Sequence, residues 1–265
     1  ETGSHRHGAC HQPRATRQYL HDADIASACQ NRIVSFCGPI VRDLGLAPYG
    51  PVCEAMRVFT QTRTDETSDE IWFVEHPPVY TAGRDASQRS GRIGDIPLIP
   101  VERGGDITYH APGQIVVYPL LNLRRRHLFV KTYVSLLLDT IIDTLSVFGI
   151  ESIRHQDAPG VYVPMPGGMG KFSGIAKIAS IGIHVSRGCT LHGIALNVHT
   201  DLAGFRRISP CGYSGLRVTD MTSLGAVCDL ETVKCEYRQR LLRALTGIYI
   251  CLLYTSPSPR DYAAS

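Results

Sequence analysis

The stretch IASIGIHVSRGCTLHGIALNV, residues 178–198, decides how this chain folds. Two apolar runs, 178–185 and 191–198, flank Ser186-Arg187-Gly188. Runs of that length around a glycine-containing break predict a β-hairpin. Outward from it, residues 71–74 are apolar and bounded by Glu70 and Glu75, which predicts a short buried strand. His76-Pro77-Pro78 ends that strand, because proline cannot donate to a ladder, and Val79 and Tyr80 are expected to resume the sheet. Residues 115–118 predict another strand, whose end Pro119 pushes toward a sheet edge. Val134, Leu137, Leu138, Ile141, Ile142, Leu145 and Phe148 recur in steps of three and four, the spacing of one helix face, with Gly149 as C-terminal cap. A last helix is predicted from about residue 230 to 245, with Asp229 as N-cap and Glu231 in its first turn. Strands mixed with two or three helices, without regular βαβ alternation, predict an α+β domain: a mixed sheet flanked by helices.

Composition narrows the function classes. Apolar residues are 43% and charged residues 19%, as in ordinary globular proteins, which excludes coiled-coil, collagen-like and largely disordered chains. A net charge of +3 is too balanced to make nucleic acid the main partner. No stretch of eighteen apolar residues occurs, so no membrane partner is expected. The cysteine count, nine, is odd, the spacing is irregular and no CxxC pair exists, which favours free thiols in a reducing compartment over a disulfide scaffold or a zinc ribbon. His184, His192 and His199 are close in sequence, but strand spacing separates them and no carboxylate cluster joins them, so no metal site is expected.

The ends read differently. Residues 1–30 form an Arg-containing leader, readable as a transit peptide or a disordered stretch. CLLYTSPSPRD at 251–261 reads as translated sequencing-adapter sequence or as a Ser/Pro-rich tail. The expected division is therefore a leader at 1–30, a catalytic domain at 31–248 and a non-native or disordered tail at 249–265.

Three segments are rich in chemically able groups. RGGDITYH at 103–110, followed by APGQ at 111–114, joins adjacent glycines, which let backbone approach a ligand, to Arg103 and His110. On composition alone it reads rather as a tight turn feeding a strand, with His110 a satisfied buried histidine. Lys177 opens the apolar strand KIASIGIHV; it is either an exposed edge lysine or a partly desolvated one able to activate a thiol. Cys211 lies between Pro210 and Gly212, on a turn, where a thiolate could attack a carbonyl; the other reading is a small buried residue. Walker A, GxGxxG, HExxH and GxSxG motifs are absent.

Together these blocks resemble the lipoyl(octanoyl) transferase family. The resemblance runs from about Trp72 to Gly225: EHPPVY at 75–80, RGGDITYH and APGQ, KIASIGIHVSRG at 177–188, LHGIALNV at 191–198 and PCGYSGLRVTDM at 210–221, in order. It implies the fold shared with biotin and lipoate protein ligases. It implies transfer of an octanoyl group from octanoyl-acyl carrier protein to a lysine of a lipoyl domain, through a cysteine thioester and without a cofactor. By motif position Cys211 resembles the nucleophile and Lys177 its partner. Arg103, Gly104, Gly105, Asp106, Ile107, Thr108, Tyr109, His110, Ser180, Ile181, Gly182, Gly193, Ile194 and Ala195 fall on the family's acyl-binding segments. Backbone amides near Cys211 and in 193–195 are the expected oxyanion donors, and strands 178–183 and 194–196 the expected lining of an acyl slot. One departure is Ala111, where the family often has glycine; alanine there is costly if the position needs a positive φ.

The implied acceptors are the lipoyl domains of 2-oxoacid dehydrogenase complexes and the glycine cleavage H protein. Such acidic partners suit a mildly basic enzyme carrying Arg124-Arg125-Arg126, a run that reads equally as a solvated loop. A monomer is expected, cytoplasmic in a bacterium and in the mitochondrial matrix of a eukaryote. The competing readings are an ATP-dependent lipoate or biotin ligase and a non-catalytic protein that binds acyl carrier protein.

Overall fold

The computed structural model describes residues 38–86, 88–209, 212, 213 and 215–255, with backbone alone for 248–255. Its strands are β1 (Ile40–Leu46), β2 (Glu70–Glu75), β3 (Val79–Ala82), β4 (Gly91–Ile93), β5 (Ile96–Pro100), β6 (Ile107–His110), β7 (Gln114–Leu120), β8 (Ile153–Arg154), β9 (Gly160–Pro164), β10 (Ile175–Ser186), β11 (Cys189–Asn197) and β12 (Arg217–Val218). The helices are α1 (Tyr49–Thr62), α2 (Val130–Val147) and α3 (Leu230–Thr255). Residues 1–30 and 256–265 of the expected leader and tail lie outside the described residues. Among the described residues no helix is long and apolar enough to cross a membrane.

The large sheet runs β1-β2-β7-β11-β10-β9-β8, with β12 added beside β10. It is mixed: β1–β2 and β10–β12 are parallel, the other pairs antiparallel. Its central strands are buried on both faces, which is why they read as continuous apolar runs. Period-two alternation sorts their side chains. Ile71, Phe73, Ile115, Val117, Ile194 and Leu196 face α2 and α3, where they meet Leu137, Ile141, Tyr237 and Leu241. Trp72, Val74, Val116, Tyr118 and Leu120 face α1, packing with Val52 and Met56.

The hairpin forms as expected: Ser186 pairs with Cys189 across Arg187-Gly188, which have φ of 52° and 83°. Positive φ at both turn residues matches the twist of the flanking strands. Gly149 (φ 71°) closes α2, its N–H donating to Ser146 O. Asp229 Oδ1 accepts from Thr232 N at 2.8 Å and caps α3.

Two local expectations need correction. Val79 and Tyr80 do not resume the first sheet; they belong to β3 of a second sheet, ordered β4-β5-β3-β6. The proline pair redirects the chain instead of merely interrupting it. Pro119 does not mark an edge, since β7 lies between β2 and β11. Its ladder to β11 ends at Val117, and Pro119 O stays in use by accepting from Thr190 Oγ1 at 2.5 Å.

Arg125 and Arg126 are also not a solvated run. Asp69 receives Arg63 Nη2 at 2.6 Å, Arg125 Nη2 at 2.7 Å and Arg126 Nε at 2.6 Å, plus Asn122 N at 2.8 Å. Burial pushes the Asp69 carboxyl up, and the arginines, Arg126 foremost, outweigh it and hold it low. Of the three, only Arg124 is exposed.

Candidate active site

The register of the hairpin creates a cleft. Ser180 pairs with Ala195 and Gly182 with Gly193, so four small residues share one face of β10 and β11. Ile181 and Ile194 alternate to the other face, where they join the helix-side core. Above the small residues lies a cleft walled by the 103–108 segment, His110, Tyr49, Val116, Tyr118 and His192.

The 103–106 loop is clamped over this face. Arg103 Nη2 donates to Thr81 O at 2.7 Å and Thr81 Oγ1 at 2.9 Å, while Gly104 N donates to Ile183 O at 3.0 Å. Gly182 permits the approach: a Cβ there would lie 2.9 Å from Arg103 Cδ and 3.1 Å from Gly104 O. Arg103 is thus a structural clamp whose stem borders the cleft. Ala111 is buried and does not adopt positive φ; Gly113, at 82°, makes that turn, so the alanine is accommodated without strain.

Lys177 is buried, 1% exposed, with Nζ donating to Pro159 O at 3.1 Å and lying 5.2 Å from the Tyr162 ring centroid. It sits between β9 and β12, pairing with Tyr162 and Val218, so it is no edge lysine. The pairing with β9 shifts between Lys177 and Ala179, a bulge at Ile178. Ala176, Ile178 and Ala179 all enter the helix-side core. The extra residue therefore reverses the alternation and returns Lys177 to the face that carries Ser180 and Gly182.

Cys211 lies outside the described residues. Its neighbour Gly212 stands at the cleft: a Cβ on it would lie 2.9 Å from Asp106 Oδ2. Further along, Tyr213 Oη donates to Asp157 O at 3.1 Å, and Thr219 N donates to Lys177 O at 2.9 Å.

A chain of side-chain amides links the cleft wall to this strand. His110 Nδ1 donates to Gln114 Oε1 at 2.7 Å, Gln114 Nε2 to Asn197 Oδ1 at 2.8 Å, and Asn197 Nδ2 to Thr219 O at 3.0 Å. Behind it, His76 Nδ1 donates to Ala47 O at 2.7 Å and Nε2 accepts from Tyr118 Oη at 2.8 Å, which fixes a neutral tautomer. Burial drives the pKa of His76 down to about 4 and that of His110 to about 3. Burial also pushes the Tyr49 and Tyr118 hydroxyls up. The histidine and tyrosine side chains of this wall are uncharged near neutrality, which suits an aliphatic chain.

Every expected substrate-binding residue except Tyr109 borders this cleft. Tyr109 alternates away from His110 and packs against Tyr80 and Phe205, at ring distances of 5.1 Å and 5.4 Å. Ile194 and Ala195 are laddered to β10 and β7, so their N–H groups are committed to the sheet and are not oxyanion donors. Sequence reasoning missed Tyr49, Val116, Tyr118 and His192 as walls. Tyr49 lies on α1, for which no motif was read; Val116 and Tyr118 read as ordinary strand residues. The four free cysteines among the described residues are Cys53, Cys189, Cys228 and Cys235.

The sequence pattern of the lipoyl protein ligase A/B catalytic domain matches residues 52–244, and the chain belongs to that family. It is similar to an octanoyltransferase of Polynucleobacter necessarius, 49% identical over 208 residues, 78% of this chain and 97% of that one. An octanoyltransferase of Pseudomonas entomophila is 47% identical over 206 residues, 77% and 91% of the two chains. The fold is shared with lipoate-protein ligase A bound with ATP (TM-score 0.57, 16% identity, 80% of this chain and 86% of that one). It is shared also with a bipartite lipoate protein ligase from Thermoplasma acidophilum (TM-score 0.57, 16% identity, 80% and 84%).

Proposed function

We propose that this protein is an octanoyltransferase that carries its acyl group on Cys211 and delivers it to a lysine of a lipoyl domain, with octanoyl-acyl carrier protein as donor. The observation that carries this reading is the cleft of small residues on the face shared with Lys177, with Gly212 at its rim. Relatives named octanoyltransferase support it over most of the chain.

The chemistry balances with these groups. The Cys211 thiolate adds to the thioester carbonyl, and the tetrahedral adduct expels the donor thiolate. The Lys177 ammonium gives that thiolate its proton. In the second half, the acceptor amine adds to the cysteine thioester, neutral Lys177 removes the amine proton, and Cys211 leaves as thiolate. With Ile194 and Ala195 committed to the sheet, and Gly212 N donating to Ser209 O at 2.9 Å, the backbone amide of Cys211 itself is the oxyanion donor in this proposal. A thioester already carries an activated acyl group, so no nucleotide is consumed.

The test is transfer of octanoyl from octanoyl-acyl carrier protein to a purified lipoyl domain, read by mass, with and without ATP. Equal transfer in both supports the proposal. Transfer from free octanoate that requires ATP supports a ligase instead.

A further inference from the structure

One group of donor atoms is not used by the acyl-transfer proposal, although His192 also lines the cleft. Cys53 comes from α1, Glu102 from the segment after β5 and His192 from β11, and their ligand atoms all lie within 4.8 Å of one another. Cys53 and His192 are each 2% exposed. His192 Nε2 and Glu102 Oε2 are both buried and neither has a hydrogen-bond partner. They lie 3.6 Å apart, within ion-pair distance of each other but beyond hydrogen-bond length. That separation is about the edge of a zinc polyhedron whose N and O ligands are each roughly 2.0–2.2 Å from the ion.

The other atoms of these side chains are held from outside. Arg57 Nε donates to Glu102 Oε1 at 2.8 Å, and Tyr49 Oη lies 3.4 Å from His192 Nδ1. Such contacts leave Oε2 and Nε2 turned inward, as outer partners of a metal site do. His192 has φ of 60°, uncommon for a residue with a side chain, at the position where it pairs with Ile183.

We propose that Cys53, Glu102 and His192 form a binding site for a zinc-class divalent ion beside the inner wall of the cleft. A thiolate, an imidazole and a carboxylate select zinc or cobalt over calcium or magnesium, whose ligands are oxygens. Three protein ligands leave a fourth position for water. On binding, the Cys53 thiol releases its proton to solvent. The ion ties together α1, the 102–103 segment and β11, three parts of the cleft wall. Sequence spacing hides the site because its ligands come from three separate segments, and it stands whether or not the acyl-transfer proposal holds.

The experiment titrates the full chain, freed of metal, with cobalt(II) and then displaces it with zinc(II). The expected result is one ion per chain, with a thiolate-to-cobalt band in the near ultraviolet and the visible bands of a four-coordinate ion. Cys211→Ser keeps these bands. Cys53→Ser loses the thiolate band, and Glu102→Gln, which leaves the buried thiol in place, weakens binding by at least about tenfold. Circular dichroism verifies that each variant is folded. Absence of the bands, their survival in Cys53→Ser or their loss in Cys211→Ser would overturn the assignment.

Discussion

Lys177 and Ser180 project from the same face of β10 although they are three residues apart. In a regular strand that spacing puts side chains on opposite faces. The bulge at Ile178 supplies the missing step, and it aligns the one buried lysine of the strand with the small residues of the cleft.

Lys177→Met is expected to separate chemistry from folding. Methionine keeps the length and apolar stem of Lys177 and removes only the ammonium, so the variant is expected to stay folded, as volume-conserving swaps do. Acyl transfer should drop on the order of 10²–10⁴-fold, the range for loss of a positioned acid–base group. Thermal melts beside single-turnover acylation check both. A variant that transfers normally removes Lys177 from the mechanism.

Ala195→Leu is expected to fill the cleft, since Ala195 shares its face with Ser180 and neighbours Val116. Octanoyl donors should lose kcat/KM by more than tenfold while a butanoyl donor loses little, because each excluded methylene is worth about 0.8 kcal/mol. A variant that handles both chain lengths as the parent does would place the acyl chain elsewhere.

Acid is expected to destabilise the fold through its buried histidines. The unfolded chain takes up protons near the ordinary histidine value of 6.5, whereas folded His76 resists until about 4 and His110 until about 3. The unfolded state therefore binds more protons in that window, and stability falls as pH drops through it. The contribution is present above 6.5 and amounts to about 3 kcal/mol for His76. Urea midpoints should fall between pH 7 and pH 4.5, and more gently in a His76→Gln, His110→Gln variant. Equal midpoints at both pH values would contradict the assignment of neutral buried imidazoles.

Asp69→Asn is expected to cost about 3–5 kcal/mol, because it leaves three buried arginine contacts without their carboxylate. A urea titration at neutral pH reads this directly. Arg124→Ala, exposed, should shift the midpoint by less than about 0.5 kcal/mol.

The contrast between Arg124 and Arg126 illustrates what the sequence revealed. Local signals carried far: the hairpin, the helix containing Leu137 and Ile141, and the Asp229 cap follow from periodicity and turn chemistry. Long-range pairing was hidden. Nothing near Asp69 announces that Arg63, Arg125 and Arg126 converge on it, and nothing near Pro119 announces that β11 will lie alongside. The cleft was legible through its motifs because their glycines and small residues serve a close approach. Tyr49 and His192 became walls only through tertiary packing, and the alternation that turns Tyr109 away from His110 needed the sheet to show which face is which.

The most direct measurement is the intact mass of the protein after mixing with octanoyl-acyl carrier protein, without ATP, beside Cys211→Ser. The account predicts one octanoyl adduct on the parent chain, removed by hydroxylamine, and none on the variant. A folded parent chain that gains no adduct, or a variant that gains the same one, would contradict it.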